Sequence, residues 1–455
     1  MEAEHLKHLY WRAGFGIMPK DLECNANKTT AQVVDELFQN SEMIEDLTID
    51  LSEFKNLDYQ LLKNNPQLIR ETRQKIRKRL PDLNNAWLTK IATSKQVLRE
   101  RMTLFWANHF VSGDKNTIYA QQFNNTLRMH ALGNFKDFVK AVSKEASMIN
   151  YLNLGQNRKA QPNENFAREL MELFTLGDGH YSETDIKESA RAFTGYSRTV
   201  DGTFKFRKYQ HDDGLKTFFG KTGNFKGDDI IDIILEKRQC ANFICKKIYR
   251  YFVNENIIDS HVDLLTDVFF KNYDIKNTMH YLFNQSWFYD DANLGAKIKS
   301  PVDFLVGLQK TVPVEFNNKK AVLRLQKLLG QTLLDPPNVA GWKGHKAWID
   351  ANTIMLRLKL PSVLLNGGMI ALGNEKDEIR RQFFKNNKQK LPFKNTANWA
   401  EFQKNFKNID SESLASILLN GNINNGTKSY IASLDKSSKQ AHCIQLMSLP
   451  EYQMC

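Results

Sequence analysis

The feature that most restricts this chain is the spacing of its apolar residues, which recur every three or four positions through most of the sequence and seldom alternate. That period demands amphipathic helices, so the expected fold is mainly α. Residues 1–365 should form a large multi-helix globular body. Residues 366–455 should add a C-terminal helical subdomain, because Gly367, Gly368 and Gly373 mark a shift to a stretch richer in Lys and Asn. One stretch breaks the helical period. Thr203 to Arg207 alternates like a strand, and Phe218-Phe219 can pair with it across the polar turn Asp212-Asp213-Gly214, giving one small β-hairpin element near 203–219.

Composition removes several function classes. The 42% hydrophobic and 25% charged residues are the balance of an ordinary globular chain, with no need of staples. Five cysteines, Cys24, Cys240, Cys245, Cys443 and Cys455, are odd in number and scattered, which suits reduced thiols and not a zinc or disulfide framework. The start Met1-Glu2-Ala3-Glu4-His5 is not that of a secretory signal, and no run of 18 apolar residues is long enough to span a membrane, so the expected compartment is the cytoplasm. The net charge of +12 gathers in two places, Arg70–Arg79 (RETRQKIRKR) and Arg380–Lys394 (RRQFFKNNKQKLPFK). Solvated helix faces are the ordinary account of such runs, and a polyanion partner is the alternative. The lack of paired Cys and His ligands or of an aromatic RNP strand argues against a nucleic-acid module.

Within the helical pattern, Leu98, Met102, Phe105, Trp106, His109 and Phe110 fall on one side of a helical wheel. Pro162 suits a first helical position and Gly177 the left-handed residue that closes a helix, which frames a second helix. Ser182 with Asp185 makes a capping box for a third, running until Gly195.

Five stretches recur together in a known family: His8-Leu9-Tyr10-Trp11-Arg12-Ala13-Gly14-Phe15-Gly16; Leu98 to Phe110; Pro162 to Gly177 (PNENFARELMELFTLG); His211-Asp212-Asp213-Gly214-Leu215-Lys216-Thr217; and Pro336-Pro337-Asn338-Val339-Ala340-Gly341-Trp342. In this order and spacing the chain resembles the bacterial family catalogued as domain of unknown function 1800, over nearly its whole length. The resemblance carries no activity. It does imply a partner, since similar proteins are often encoded beside an exported, sulfatase-like family. Asn153 stands where an aspartate is frequent, Tyr196 where a tryptophan is common and His345 where a second glycine often follows; the first weakens a metal role at that position.

Candidate chemistry follows from the polar side of the Pro162 helix. Phe166, Ala167, Leu170, Met171, Leu173 and Phe174 cover one side and leave Asn163, Glu164, Asn165, Arg168, Glu169 and Glu172 on the other. Glu169 and Glu172 lie one turn apart, and in a sheltered place their repulsion would raise one pKa enough for acid–base work. Arg168 is the candidate anchor for an anionic group, with Asn163, Glu164 and Asn165 as further ligand-binding residues. A solvated, salt-bridged face accounts for the same ladder. The loop from His211 to Lys216 offers His211 as a second acid or base, Asp212 as a metal ligand and Lys216 as a ligand contact, set against an ordinary Asp-Gly turn. His109 reads as a core histidine with a ligand role as the alternative. His5 and His8, one turn apart, lack a third metal ligand nearby. The Asp335 to Trp342 stretch reads as a rigid turn, with a pocket wall as the alternative.

Three functions stay open on this reading. One is an enzyme with a Glu/Arg/His pocket between helices acting on an anionic or carbohydrate-like substrate, with a divalent metal left open as cofactor. Another is a non-catalytic escort for the sulfatase-like partner, exported with it. The third is a polyanion-binding protein.

Overall fold

The computed structural model describes residues 1–54, 65–316, 318–366, 395–421 and 423–455. Helix dominates, and the strands among these residues form three two-stranded antiparallel ladders, so the fold is mainly α with small hairpins. The basic segment Arg380–Lys394 and the three glycines Gly367, Gly368 and Gly373 lie outside the described residues. None of the helices found is long and apolar enough to cross a membrane.

The chain divides into two compact units, each assembled from separated stretches. One comprises Met1–Lys28, Tyr289–Gln331 and Lys343–Cys455; the other comprises Thr29–Phe288 with Thr332–Trp342. The described part of the C-terminal stretch therefore packs in one unit with the Ala3–Ala13 and Pro301–Thr311 helices. Its core is built on Phe304, Leu325, Leu360, Phe402, Leu446 and Tyr452. In this unit Lys299 is fully buried: its Nζ donates to the Tyr452 carbonyl at 2.6 Å and lies 4.0 Å from the Trp11 ring and 3.8 Å from that of Tyr452. Burial pushes the ammonium down to about 7, while the two ring faces attract the charged form.

The other unit holds every candidate site residue. Its Val97–His109 helix does more than present one apolar side, because Leu98 through Trp106 are buried all round, including Arg99, Glu100 and Arg101. Charges enter a core only when paired and hydrogen-bonded. Arg128 supplies the pairing from the Thr117–His130 helix, donating to the two carboxylate oxygens of Glu100 at 2.7 and 2.9 Å and to the side-chain oxygens of Asn124 and Asn125 at 2.8 and 2.9 Å. Arg99 is likewise spent on carbonyls, those of Ser41 and Arg128, both at 2.8 Å.

The strand expected at 203–207 exists, but with another partner. Phe204–Phe206 pairs with Tyr196–Arg198, and Lys216–Phe218 pairs with Lys221–Gly223. Phe219 (φ 48°) and Gly220 (φ 78°) turn the second hairpin with two consecutive left-handed residues, the geometry that matches strand twist. Asp212-Asp213-Gly214 is not that turn because it is fastened to itself: Asp212 Oδ1 accepts from the Gly214 N–H at 2.9 Å, and Lys216 Nζ donates to the carbonyls of Asp212 and Gly214 at 2.6 and 2.9 Å.

Candidate functional site

The helix expected from Pro162 opens at Asn165 and changes winding midway. Asn165–Glu169 is α-helical and Leu170–Thr175 is a π-helical turn, with Thr175 Oγ1 donating to the Leu170 carbonyl five residues back at 2.6 Å and Gly177 (φ 85°) closing the end. Single π turns are rare and gather at functional sites. Carbonyls at this end take donors from elsewhere: Lys247 Nζ to Leu173 at 2.8 Å, His109 Nε2 to Phe174 at 3.1 Å and Gln239 Nε2 to Leu176 at 2.8 Å.

These bonds decide the state of His109. The Phe174 carbonyl only accepts, so the proton sits on Nε2, and Nδ1 accepts from Lys247 Nζ at 3.2 Å. Burial and then the Lys247 charge push the imidazole well below its ordinary pKa, and the ring is neutral. Both ring nitrogens face a hydrogen-bond partner inside the core.

The polar side of the Asn165 helix divides into paired and poised groups. Arg168 donates to both carboxylate oxygens of Glu183 at 3.0 Å each and to Glu164 at 3.4 Å, which stabilises its charge and occupies its fork. Asn163 closes the entry of the helix, its Oδ1 accepting from the Asn165 N–H at 3.1 Å. Glu172 accepts from the Tyr181 hydroxyl at 2.9 Å. Glu169 is half-buried; burial first, and the Glu172 charge second, push its pKa up, and its own charge adds to the burial that raises the Tyr151 phenol. Glu169, Glu172, Tyr151 and Tyr181 thus share one edge.

His211 belongs to a different place. It is 1% exposed, and its Nδ1, 2.9 Å from the Thr194 carbonyl, must carry the proton. Its Nε2 is buried with no hydrogen-bond partner among the described residues, Asp213 Oδ1 lying 4.0 Å off. Asp212 is held by Arg191, with contacts of 2.7 and 3.3 Å to its two oxygens, which depresses its pKa. Lys216 is spent on the loop carbonyls. Glu183, which meets Arg168, and Arg191, which meets Asp212, sit near opposite ends of the Glu183–Ala192 helix, eight rises or roughly 12 Å apart. Glu169 interacts with Glu172, and Lys216 bonds the Asp212 carbonyl beside His211; no hydrogen bond or ion pair among the described residues joins these two groups. Among the described residues, no three His, Cys, Asp or Glu side chains gather as a metal ion requires.

Two features escaped the sequence. Asn157 is a buried hub, donating to the Ala190 carbonyl at 2.7 Å and accepting from the Asn163 N–H at 2.9 Å. A polar cluster also forms where Asn150 donates to Asp114 at 2.8 Å and accepts from Arg198 at 2.7 Å, with Arg198 donating to the Tyr119 hydroxyl at 2.9 Å. Its members come from separate stretches, so no local spacing signals it.

A mainly helical protein with polar clusters fixed by its signature helix and loops is the class that fold and site define. The family is then specific: the model for proteins of unknown function, DUF1800, matches residues 8–454, and the chain belongs to that family. No curated protein and no solved structure matches it.

Proposed function

We propose that this chain is an enzyme that binds a neutral, hydroxyl-rich ligand of the carbohydrate kind at the Glu169–Glu172 edge and acts on it by acid–base chemistry. The observation that carries this reading is Glu169, half-buried on the last α-helical turn before the π turn, with its pKa raised by burial and by Glu172. A carboxyl raised in this way keeps its proton nearer neutrality and serves as general acid; Glu172, bonded to Tyr181, is the complementary carboxylate. Charge favours the carbohydrate-like substrate over the anionic one. Glu183 and Glu164 occupy the guanidinium of Arg168, while Glu169 and Glu172 on the same helix have no ion pair among the described residues. Such an edge repels anions and offers acceptors to sugar hydroxyls. The test is a binding and turnover screen of neutral oligosaccharides with the wild type, Glu169→Gln and Glu172→Gln. Loss of turnover by about a hundredfold or more in Glu169→Gln, with folding intact, is the expected result; equal turnover in all three sinks the reading.

A second reading rests on the Pro66–Lys78 helix. Arg70, Arg73, Lys75, Arg77 and Lys78 are exposed along it, and only Thr72 and Ile76 face inward. Arg70, Arg73 and Arg77 are three and four residues apart, a single basic stripe with no ion pair among the described residues, suited to a polyanion. Retention on immobilised polyphosphate that falls steeply with salt, and weakens when the three arginines become Gln, is the expected outcome; retention unchanged in that triple variant would refute it.

A further inference from the structure

Apolar side chains that face water are not spread evenly over this protein. Among the described residues the two most exposed large ones, Tyr209 at 71% and Leu215 at 69%, flank His211 in a single loop, and Phe206, 38% exposed, lies just before them. Such a gathering marks a contact surface more often than chance. The loop that carries it is held stiffly. The Phe206 ring lies 5.1 Å from that of His211, which is anchored on the Thr194 carbonyl. Arg191 Nη1 donates to the Leu215 carbonyl at 3.0 Å, and Lys216 Nζ ties down the carbonyls of Asp212 and Gly214, which fixes the loop with the Leu215 side chain in water.

Cations are interleaved with these residues. The run Lys205-Phe206-Arg207-Lys208-Tyr209 alternates charge with ring, and the Lys159 N–H, donating to the Gln210 carbonyl at 2.8 Å, sets the exposed Arg158 and Lys159 beside it. None of these five cationic side chains has an ion pair or hydrogen bond among the described residues. Lysines elsewhere in the same unit do have acids, as Lys136 and Lys140 have Asp232, and Lys144 has Asp228. Of the two acids in the loop, Asp212 is neutralised by Arg191, which leaves Asp213 exposed against five cations.

This mixture selects the partner. The centre of a protein–protein contact is depleted of charge, whereas here a cation stands next to each ring. Nucleic-acid bases stack on flat faces, which Leu215 does not have. The headgroup layer of an anionic lipid surface accepts both kinds of group, its phosphates meeting the cations while Tyr, Phe and Leu side chains reach the boundary of the acyl chains.

We infer that the loops around His211 form a membrane-contact surface, which docks the chain on anionic phospholipid with Phe206, Tyr209 and Leu215 set below the phosphates. The inference is independent of the Glu169 edge. It is tested by sedimentation of the full chain with vesicles of phosphatidylcholine, with and without phosphatidylglycerol. The chain should sediment with the anionic vesicles and stay in solution with the neutral ones, and binding should weaken as salt rises. Leu215→Ser should weaken it about tenfold, since a leucine is then no longer taken out of water. Lys208→Gln and Lys159→Gln should each weaken it about fivefold. These side chains are exposed or at the surface, so the variants should keep the wild-type circular dichroism. Tyr209→Trp adds a direct readout, an emission that should move to shorter wavelength with the anionic vesicles alone. The Pro66–Lys78 stripe would attract the same vesicles by charge, so the apolar variants decide. Equal binding to both kinds of vesicle, a Leu215→Ser chain that binds like the wild type, or a Tyr209→Trp emission that does not move overturns the assignment. Tight binding of oligothymidylate or heparin without vesicle binding also overturns it, and gives the loops to a soluble polyanion.

Discussion

Glu100→Ala is expected to destabilise the protein by about 3–5 kcal/mol, measured as the loss of unfolding free energy in a denaturant titration. The carboxylate is 1% exposed and its Arg128 partner 0%, so truncation leaves a guanidinium in the core with only the amide oxygens of Asn124 and Asn125 and a distant share of a backbone carbonyl. No water reaches it to repay the lost solvation. The pair as a whole is a different matter, because two buried ions also carry a desolvation cost together. Glu100→Leu combined with Arg128→Met, which replaces the ions by apolar side chains of similar volume, should therefore recover most of the loss. A single variant that loses less than 1 kcal/mol, or a double variant as unstable as the single, would show that the pair is not what holds these two helices.

The same pair explains why part of the fold was legible in the sequence and part was not. Apolar spacing locates the Val97–His109 helix, since Leu98, Met102, Phe105, Trp106 and His109 do lie buried together. It cannot reveal that Arg99, Glu100 and Arg101 are buried too, because a buried charge is licensed by a partner 28 residues away in sequence, here Arg128. Local chemistry reads well: the Ser182–Asp185 capping box and the Gly177 closure are both present, since each depends on residues three or four apart. The π turn at Leu170–Thr175 does not read, because it rests on donors brought by Lys247 and His109 from other helices.

Among the site residues the same division holds. Glu169 and Glu172 were placed near one another by helical spacing alone, and the edge they share with Tyr151 and Tyr181 follows from it. Their distance from His211 was not readable, because it depends on the direction in which the Glu183–Ala192 helix runs between them. Nor could spacing tell that the guanidinium of Arg168 would be spent on Glu183, which lies on the next helix.

Lys299 gives the second large effect, a stability that climbs with pH. Its folded pKa is depressed from 10.5 to about 7 by burial, so between these values the unfolded chain binds a proton that the folded chain has released. Stability rises with pH wherever the unfolded state holds more protons, here by about 1.4 kcal/mol per pH unit at full effect. Below pH 7 both states are protonated and the gain is absent. Above about pH 9 a counter-current sets in within the same unit: burial raises the Cys443 thiol from its ordinary 9.0, so the unfolded chain now loses a proton that the folded one keeps, and stability falls. The Lys299 share of the unfolding free energy should thus gain about 2–3 kcal/mol from pH 7 to 9, beside a rise of the same sign from Lys247, which burial also lowers to about 7, so the difference between wild type and a Lys299 variant is what isolates it. Lys299→Met fits the slot between Trp11 and Tyr452 without a charge and should be the more stable chain at pH 7, with the difference from the wild type shrinking as pH rises to 9. The rings of Trp11 and Tyr452 oppose this by favouring the ammonium, which sets the direction of any shortfall. Denaturation of both chains at pH 6, 7, 8 and 9 decides it: a difference that does not change with pH means that Lys299 stays charged in the folded protein.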